Sequence, residues 1–81
     1  MHKQIFDSIT PVFRDVFDDP ALTLTEELSA NDVPNWDSLN HITLIVELEA
    51  LTGLTLSTDD LVNLQNVGDF VRLLAEKGYR G

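Results

Sequence analysis

N-W-D-S-L-N-H-I-T-L-I-V-E-L-E-A-L-T-G, residues 35 to 53, opens with residues that start helices and closes with one that stops them. Asp37 or Ser38 suits the N-cap, because either side chain accepts from N–H groups that a first turn leaves without partners. Gly53 offers the left-handed residue on which helices commonly end. The spacing between them predicts a helix from 37 or 38 to about 52. At 100° per residue, Leu44, Ile45, Leu48 and Leu51 gather on one side as the expected core stripe. Leu39, Ile42 and Val46 form a second stripe, with Ser38 and Glu49 at its border and Asn40, Thr43 and Glu47 between the two. A helix apolar on two faces is either sandwiched in a core or shows one face to a partner or ligand. Both readings remain open on the sequence.

Upstream, Ile5, Phe6, Ile9, Val12, Phe13, Val16 and Phe17 recur at spacings of three and four, an apolar helical face with Asp7, Arg14 and Asp15 off it. Pro11 lies inside this pattern and predicts a kink or a late start. D-D-P at 18 to 20 ends the helix. Residues 20 to 37 hold no period, and a connection this long in a small domain is usually functional. Leu22, Leu24, Leu28 and Val33 are expected to pin it to the core, and Thr25-Glu26-Glu27 to start a single turn.

Downstream, Ser57 with Asp60 three residues later resembles a reciprocal cap before a short helix carrying Leu61, Val62 and Leu64. Asn66 precedes a last helix with Val67, Phe70, Val71 and Leu74 inward, Arg72, Glu76 and Lys77 outward, and Gly78 as its stop. Leu54 to Leu56 alternates as a strand would, yet no second strand is available to pair with it. The expected class is all-α: a four-helix bundle with a long loop between helices 1 and 2 and a short helix 3.

Eighty-one residues make one domain, 1–81, with a 43% apolar content sufficient for a single core. No cysteine is present, so neither a disulfide nor a thiolate metal site stabilises it, and the chain has no thiol nucleophile of its own. No metal site is expected. No run approaches the about 18 apolar residues of a membrane span, and the N-terminus lacks a signal-peptide pattern, so a cytoplasmic protein is expected. Fourteen acidic against five basic residues give a formal charge of -9. That field disfavours nucleic acid and favours basic protein partners, or simply keeps a small protein soluble.

Ser38 admits three readings. A hydrolytic nucleophile needs a base and an oxyanion hole. His41 is one turn away, but Asp37 is poorly placed to orient it and the G-x-S-x-G turn is missing. His41 falls towards the core side of the wheel and reads as a packed or capping residue. As a cap, Ser38 competes with Asp37. As an attachment point, its hydroxyl sits where the macrodipole favours negative charge, so a phosphodiester is electrostatically welcome.

D-S-L opening an apolar helix after a long loop, in a small acidic four-helix chain, resembles the acyl carrier protein family over nearly the whole length. The first helix resembles 3 to 17, the loop 18 to 36, the modified helix 38 to 52, and shorter helices run from about 58 and 67. The resemblance implies that Ser38 receives 4′-phosphopantetheine from coenzyme A, and that the arm's thiol carries acyl, or aminoacyl, groups as thioesters. Trp36 stands where peptidyl carriers usually have glycine, which favours an acyl-type carrier, and W-D-S-L-N-H-I looks like the stand-alone carriers of specialised pathways. Asp37 and Leu39 then flank the attachment site. Leu39, Ile42, Val46, Glu47 and Glu49 are expected to meet partner enzymes or line an acyl crevice. Asn40 and Thr43 replace acids that typical carriers place here, which shifts recognition towards shape and apolar contact. The implied protein is a monomeric carrier without catalytic residues, served by a phosphopantetheinyl transferase, an acyl-loading ligase or transferase, and downstream acyl-using enzymes. An unmodified acidic interaction module is the alternative.

Overall fold

A computed structural model describes residues 3–61 and 64–81, with the Thr58 and Leu61 side chains excepted. Helix α1 runs Lys3–Val16, α2 Ser38–Thr52, α3 Thr58–Leu61 and α4 Val67–Glu76. The class is all-helical. Three helices of ten residues or more carry the packing, whereas α3 is a single turn, so the expected bundle of four is a three-helix core with one short turn beside it. Among the described residues the only β feature is an isolated bridge between Ser29 and Asn66, and Leu54 to Leu56 forms no strand.

Helix α1 buries Ile5, Ile9 and Phe13, the face its periodicity predicts. The expected late start does not occur, because α1 begins at Lys3 and passes through Pro11. Pro11 and Asp7 are both exposed. The carbonyl that proline deprives of a donor therefore faces water, which lowers the usual penalty. The helix closes at D-D-P. Asp18 takes a positive φ of 52° and its N–H donates to Asp15 O, while Asp19 N–H reaches Arg14 O at 3.0 Å. These two bonds form a Schellman stop with aspartate in the place glycine usually fills.

The 20–37 loop is tied to both α1 and α4. Arg14 Nε donates to Leu22 O (2.8 Å), and Leu28 N–H closes a turn on Thr25 O. Val67 and Gly68 at the start of α4 donate to Leu28 O and Glu26 O at 2.9 and 3.0 Å. Loop carbonyls thus take donors that a helix leaves orphaned. Gly68 permits this approach, since a Cβ there would lie 3.0 Å from Glu26 O. Val33 is buried, and Leu22, Leu24 and Leu28 pack half-buried against the core, as expected of a pinned loop; Trp36 is buried as well.

Ser57 and Asp60 form the reciprocal cap: Ser57 N–H donates to Asp60 Oδ2 at 3.0 Å and Asp60 N–H to Ser57 Oγ at 3.2 Å. The expectation for Val62 and the Leu61 side chain lies outside the described residues, whereas Leu64 is buried. Helix α4 is capped by Asn66 and buries Val67, Phe70, Val71 and Leu74. Helix α1 packs against both α2 and α4. The shared core has no buried polar side chain among the described residues, and an edge-on aromatic contact at 5.7 Å joins Phe13 to Phe70.

Candidate functional site

Each residue of N-W-D-S-L-N-H has a distinct place in the structure. Asp37, extended at φ -104°, is the N-cap, and its Oδ1 accepts from Asn40 N–H at 2.8 Å. Asn40 Nδ2 reaches back to Asn35 O (2.7 Å), and Asn35 Nδ2 donates to Phe17 O (2.8 Å). The entry into α2 is thereby fastened to the end of α1. Ser38 is the first residue of α2 and is exposed. Asp37 occupies Asn40 N–H, so the N–H groups of Ser38 and Leu39 are left without intrahelical acceptors at the positive end of the macrodipole.

Trp36 is the residue that the sequence undervalues. It is buried, lies against Phe13, Phe17 and Phe70 at centroid distances of 5.9, 5.3 and 6.1 Å, and its indole N–H donates to His41 Nδ1 at 3.0 Å. His41 stacks on it at 6.3 Å and 21°. The one signal in the sequence is that the chain's single tryptophan immediately precedes the helix cap. Burial lowers the His41 pKa from its ordinary value, because desolvation disfavours the imidazolium. His41 is therefore a packed histidine, as its wheel position suggests.

Ser38, Asp37, Trp36, His41, Ile42 and Ala30 border an open depression of about 540 Å³. Two features of this grouping argue against hydrolysis. The His41 nitrogen facing Trp36 is already an acceptor for the indole, and the Asp37 carboxylate serves the helix N–H rather than the imidazole. No Ser–His–Asp relay is assembled among the described residues, and the serine hydrolase reading loses its geometry.

The second stripe of α2 faces outward. Leu39 is 73% exposed, Ile42 60% and Val46 55%, which rejects the sandwiched reading. Glu47 is exposed beside them. Glu49 departs from that surface: it is half-buried, and its Oε2 accepts from Leu56 N–H at 2.8 Å, closing the turn after α2. Leu44, Ile45 and Leu48 are buried as predicted. Leu51 is not, at 45% exposure. It lies at the edge of the arc that Leu44, Ile45 and Leu48 bury, whereas Thr52, one residue on, falls within that arc and is half-buried.

A scan against protein-family models and a search of curated proteins returned no match. Among solved structures, a holo acyl carrier protein from Geobacter metallireducens superposes with a TM-score of 0.84 at 47% identity, covering 89% of this chain and 83% of that one. The chain belongs to the acyl carrier protein family. A Mycobacterium tuberculosis chain assigned as an acyl carrier protein gives a TM-score of 0.80 at 25% identity, over 90% of this chain and 97% of that one. Acyl carrier proteins are carriers and not enzymes. Among the described residues no helix is long and apolar enough to cross a membrane.

Proposed function

We propose that this protein is a single-domain carrier, 1–81, functional after attachment of 4′-phosphopantetheine to Ser38. The observation that carries the reading is an exposed serine at the first position of α2, beside a depression and an outward apolar stripe, in a chain 47% identical to a holo acyl carrier protein. The residues fit such a group. The hydroxyl is open, the N–H groups of Ser38 and Leu39 favour an anion, and the acid beside it, Asp37, is engaged by Asn40 N–H. In the transfer, Ser38 Oγ attacks the pantetheine-side phosphorus of coenzyme A and forms the phosphoester bond, the phosphoanhydride bond breaks, adenosine 3′,5′-bisphosphate departs, and the serine proton passes to a base of the transferase. When bound, the arm supplies a thiol that carries acyl or aminoacyl groups as thioesters.

Asp37 fixes the start of α2 so that the hydroxyl has a defined direction. Leu39, Ile42 and Val46, with Glu47, form the surface that the phosphopantetheinyl transferase, the loading ligase or transferase and the acyl-using enzymes contact. The charge of -9 assists partners bearing basic patches. Tethering raises the local concentration of cargo at a partner's site. The reading includes a monomer in the cytoplasm and α3 as the short member of a four-helix arrangement. Incubation with coenzyme A and a broad-specificity phosphopantetheinyl transferase, followed by intact mass, tests it. A one-arm gain that Ser38→Ala abolishes is expected. A folded protein that gains nothing would leave the unmodified interaction module as the better account.

A further inference from the structure

The Trp36–His41 bond has a consequence for the ring's other nitrogen. A neutral imidazole has one donor and one acceptor. Nδ1 accepts from the Trp36 indole, so the proton is on Nε2. Every buried side-chain nitrogen or oxygen among the described residues has a partner, and among those residues no group engages Nε2. Nε2–H is therefore open to solvent, on a ring that borders the depression shared with Ser38.

His41 follows Ser38 by three residues on α2, a spacing that brings side chains about 5–6 Å apart at Cβ. Helical side chains lean towards the N-terminus, and the bond to Trp36, which precedes the helix, confirms that direction for this ring. A phosphoryl group on Ser38 Oγ would carry its free oxygens out from the same turn, into the depression that the His41 ring also borders.

We propose that His41 is a positioning residue for the arm, its Nε2–H donating to the phosphodiester on Ser38 while Trp36 holds the ring through Nδ1. The inference rests on Ser38 being the attachment point. It gives the pair a use beyond packing, because an arm held at its proximal end leaves α2 in a restricted direction over the depression. The groups around the ring are few. Trp36 and Phe70 face it from the preceding loop and from α4, while α1 contributes Phe13, with Phe17 just beyond its end, behind the indole. Asp37, one turn before, is the nearest acid in sequence and is bonded to Asn40 N–H. Burial lowers the pKa of the free ring, and the charge that modification introduces at Ser38 acts in the opposite direction.

The test compares full-length protein, 15N-labelled at histidine, before and after treatment with coenzyme A and the transferase, with intact mass recorded for each sample. In the modified protein the His41 pKa is expected to rise by about one pH unit, since an adjacent anion favours the imidazolium. His2 is the other labelled histidine. The 31P signal should inflect at the His41 midpoint, because a phosphodiester has no proton to titrate there, and the Trp36 indole N–H should move with it as Nδ1 ceases to accept. His41→Phe should abolish the 31P inflection, and His41→Gln, which keeps a donor, should return the 31P shift towards the wild-type position without pH dependence. An unchanged His41 titration in protein that has gained the arm overturns the proposal and leaves the carrier reading intact. A 31P inflection that persists in His41→Phe does the same. Absence of the mass gain overturns both.

Discussion

Asp37 permits a prediction whose parts can be separated. Its Oδ1 accepts from Asn40 N–H at 2.8 Å, and the residue is exposed. Loss of a cap of this kind typically costs about 1 kcal/mol. For a domain of this size that corresponds to a fall in Tm of about 4–8 °C. Asp37→Ala should therefore lower Tm by that amount, measured by following the helical circular dichroism signal on heating. Asp37→Asn keeps an oxygen in the accepting position and removes only the charge. The lost charge–dipole attraction amounts to about 0.3–1 kcal/mol at low salt. Relief of repulsion in a chain of charge -9 opposes it. The Asp37→Asn variant should accordingly stay within a few tenths of a kcal/mol of wild type, and the small remainder should shrink as salt screens it. Equal destabilisation by the Ala and Asn variants would refute the cap as the dominant role and assign it to charge. An Ala variant with unchanged Tm would show that Asn35, Asn40 and Trp36 fix the helix start without the carboxylate.

Three further outcomes follow from the packing and the ionised groups. Phe13→Ala should lose about 3–5 kcal/mol, a large share of the about 5–15 kcal/mol typical of a domain, and should show it as a lower urea midpoint. Ile42→Ser, on the exposed stripe, should remain within about 0.5 kcal/mol of wild type while slowing modification by the transferase, a rate followed by mass. Asp60 and Asp69 both have lowered pKa values, chiefly from the Ser57 backbone N–H on Asp60 and the Gln65 backbone N–H on Asp69. A depressed folded-state pKa gives stability that is present above the unfolded value of about 3.9 and is lost as pH falls through the folded value. Thermal melts should accordingly weaken below about pH 4, with Asp60→Asn and Asp69→Asn each flattening that acid limb.

What the sequence disclosed was mostly local chemistry. Asp37, Ser57 with Asp60, Asn66 and Gly53 mark helix ends because a cap involves residues three or four apart, and each is found performing that task. The α1 and α4 faces are legible for the same reason, since a single period repeats over several turns. The late start that Pro11 suggested does not occur, because a proline's cost depends on which side of the helix meets water. Leu51 misleads because a wheel groups residues by direction but does not fix how wide an arc the core covers. The expectation of four helices rests on the period of α1 and on three cap signals, although one of these opens only a single turn.

The site divides along the same line. Ser38 and the outward stripe of Leu39, Ile42 and Val46 can be found from spacing within one helix. Glu49 cannot, because its partner, Leu56 N–H, lies beyond a turn. Trp36 and His41 are the hardest to read. Their meaning comes from Phe13, Phe17 and Phe70, distant in sequence and adjacent only after folding. A histidine beside a serine resembles catalysis on paper, and the direction of one indole N–H decides otherwise.

Four serines are present, at 8, 29, 38 and 57. Ser8 is half-buried in α1, Ser29 hydrogen-bonds Asp32, and the Ser57 hydroxyl accepts from Asp60 N–H. The most direct test of the central claim is fragmentation mass spectrometry of the protein after treatment with coenzyme A and transferase, locating the added mass along the chain. The whole gain should fall on Ser38, with none on the other three. A gain on Ser57, or an unmodified Ser38 in protein that is fully folded, would contradict it.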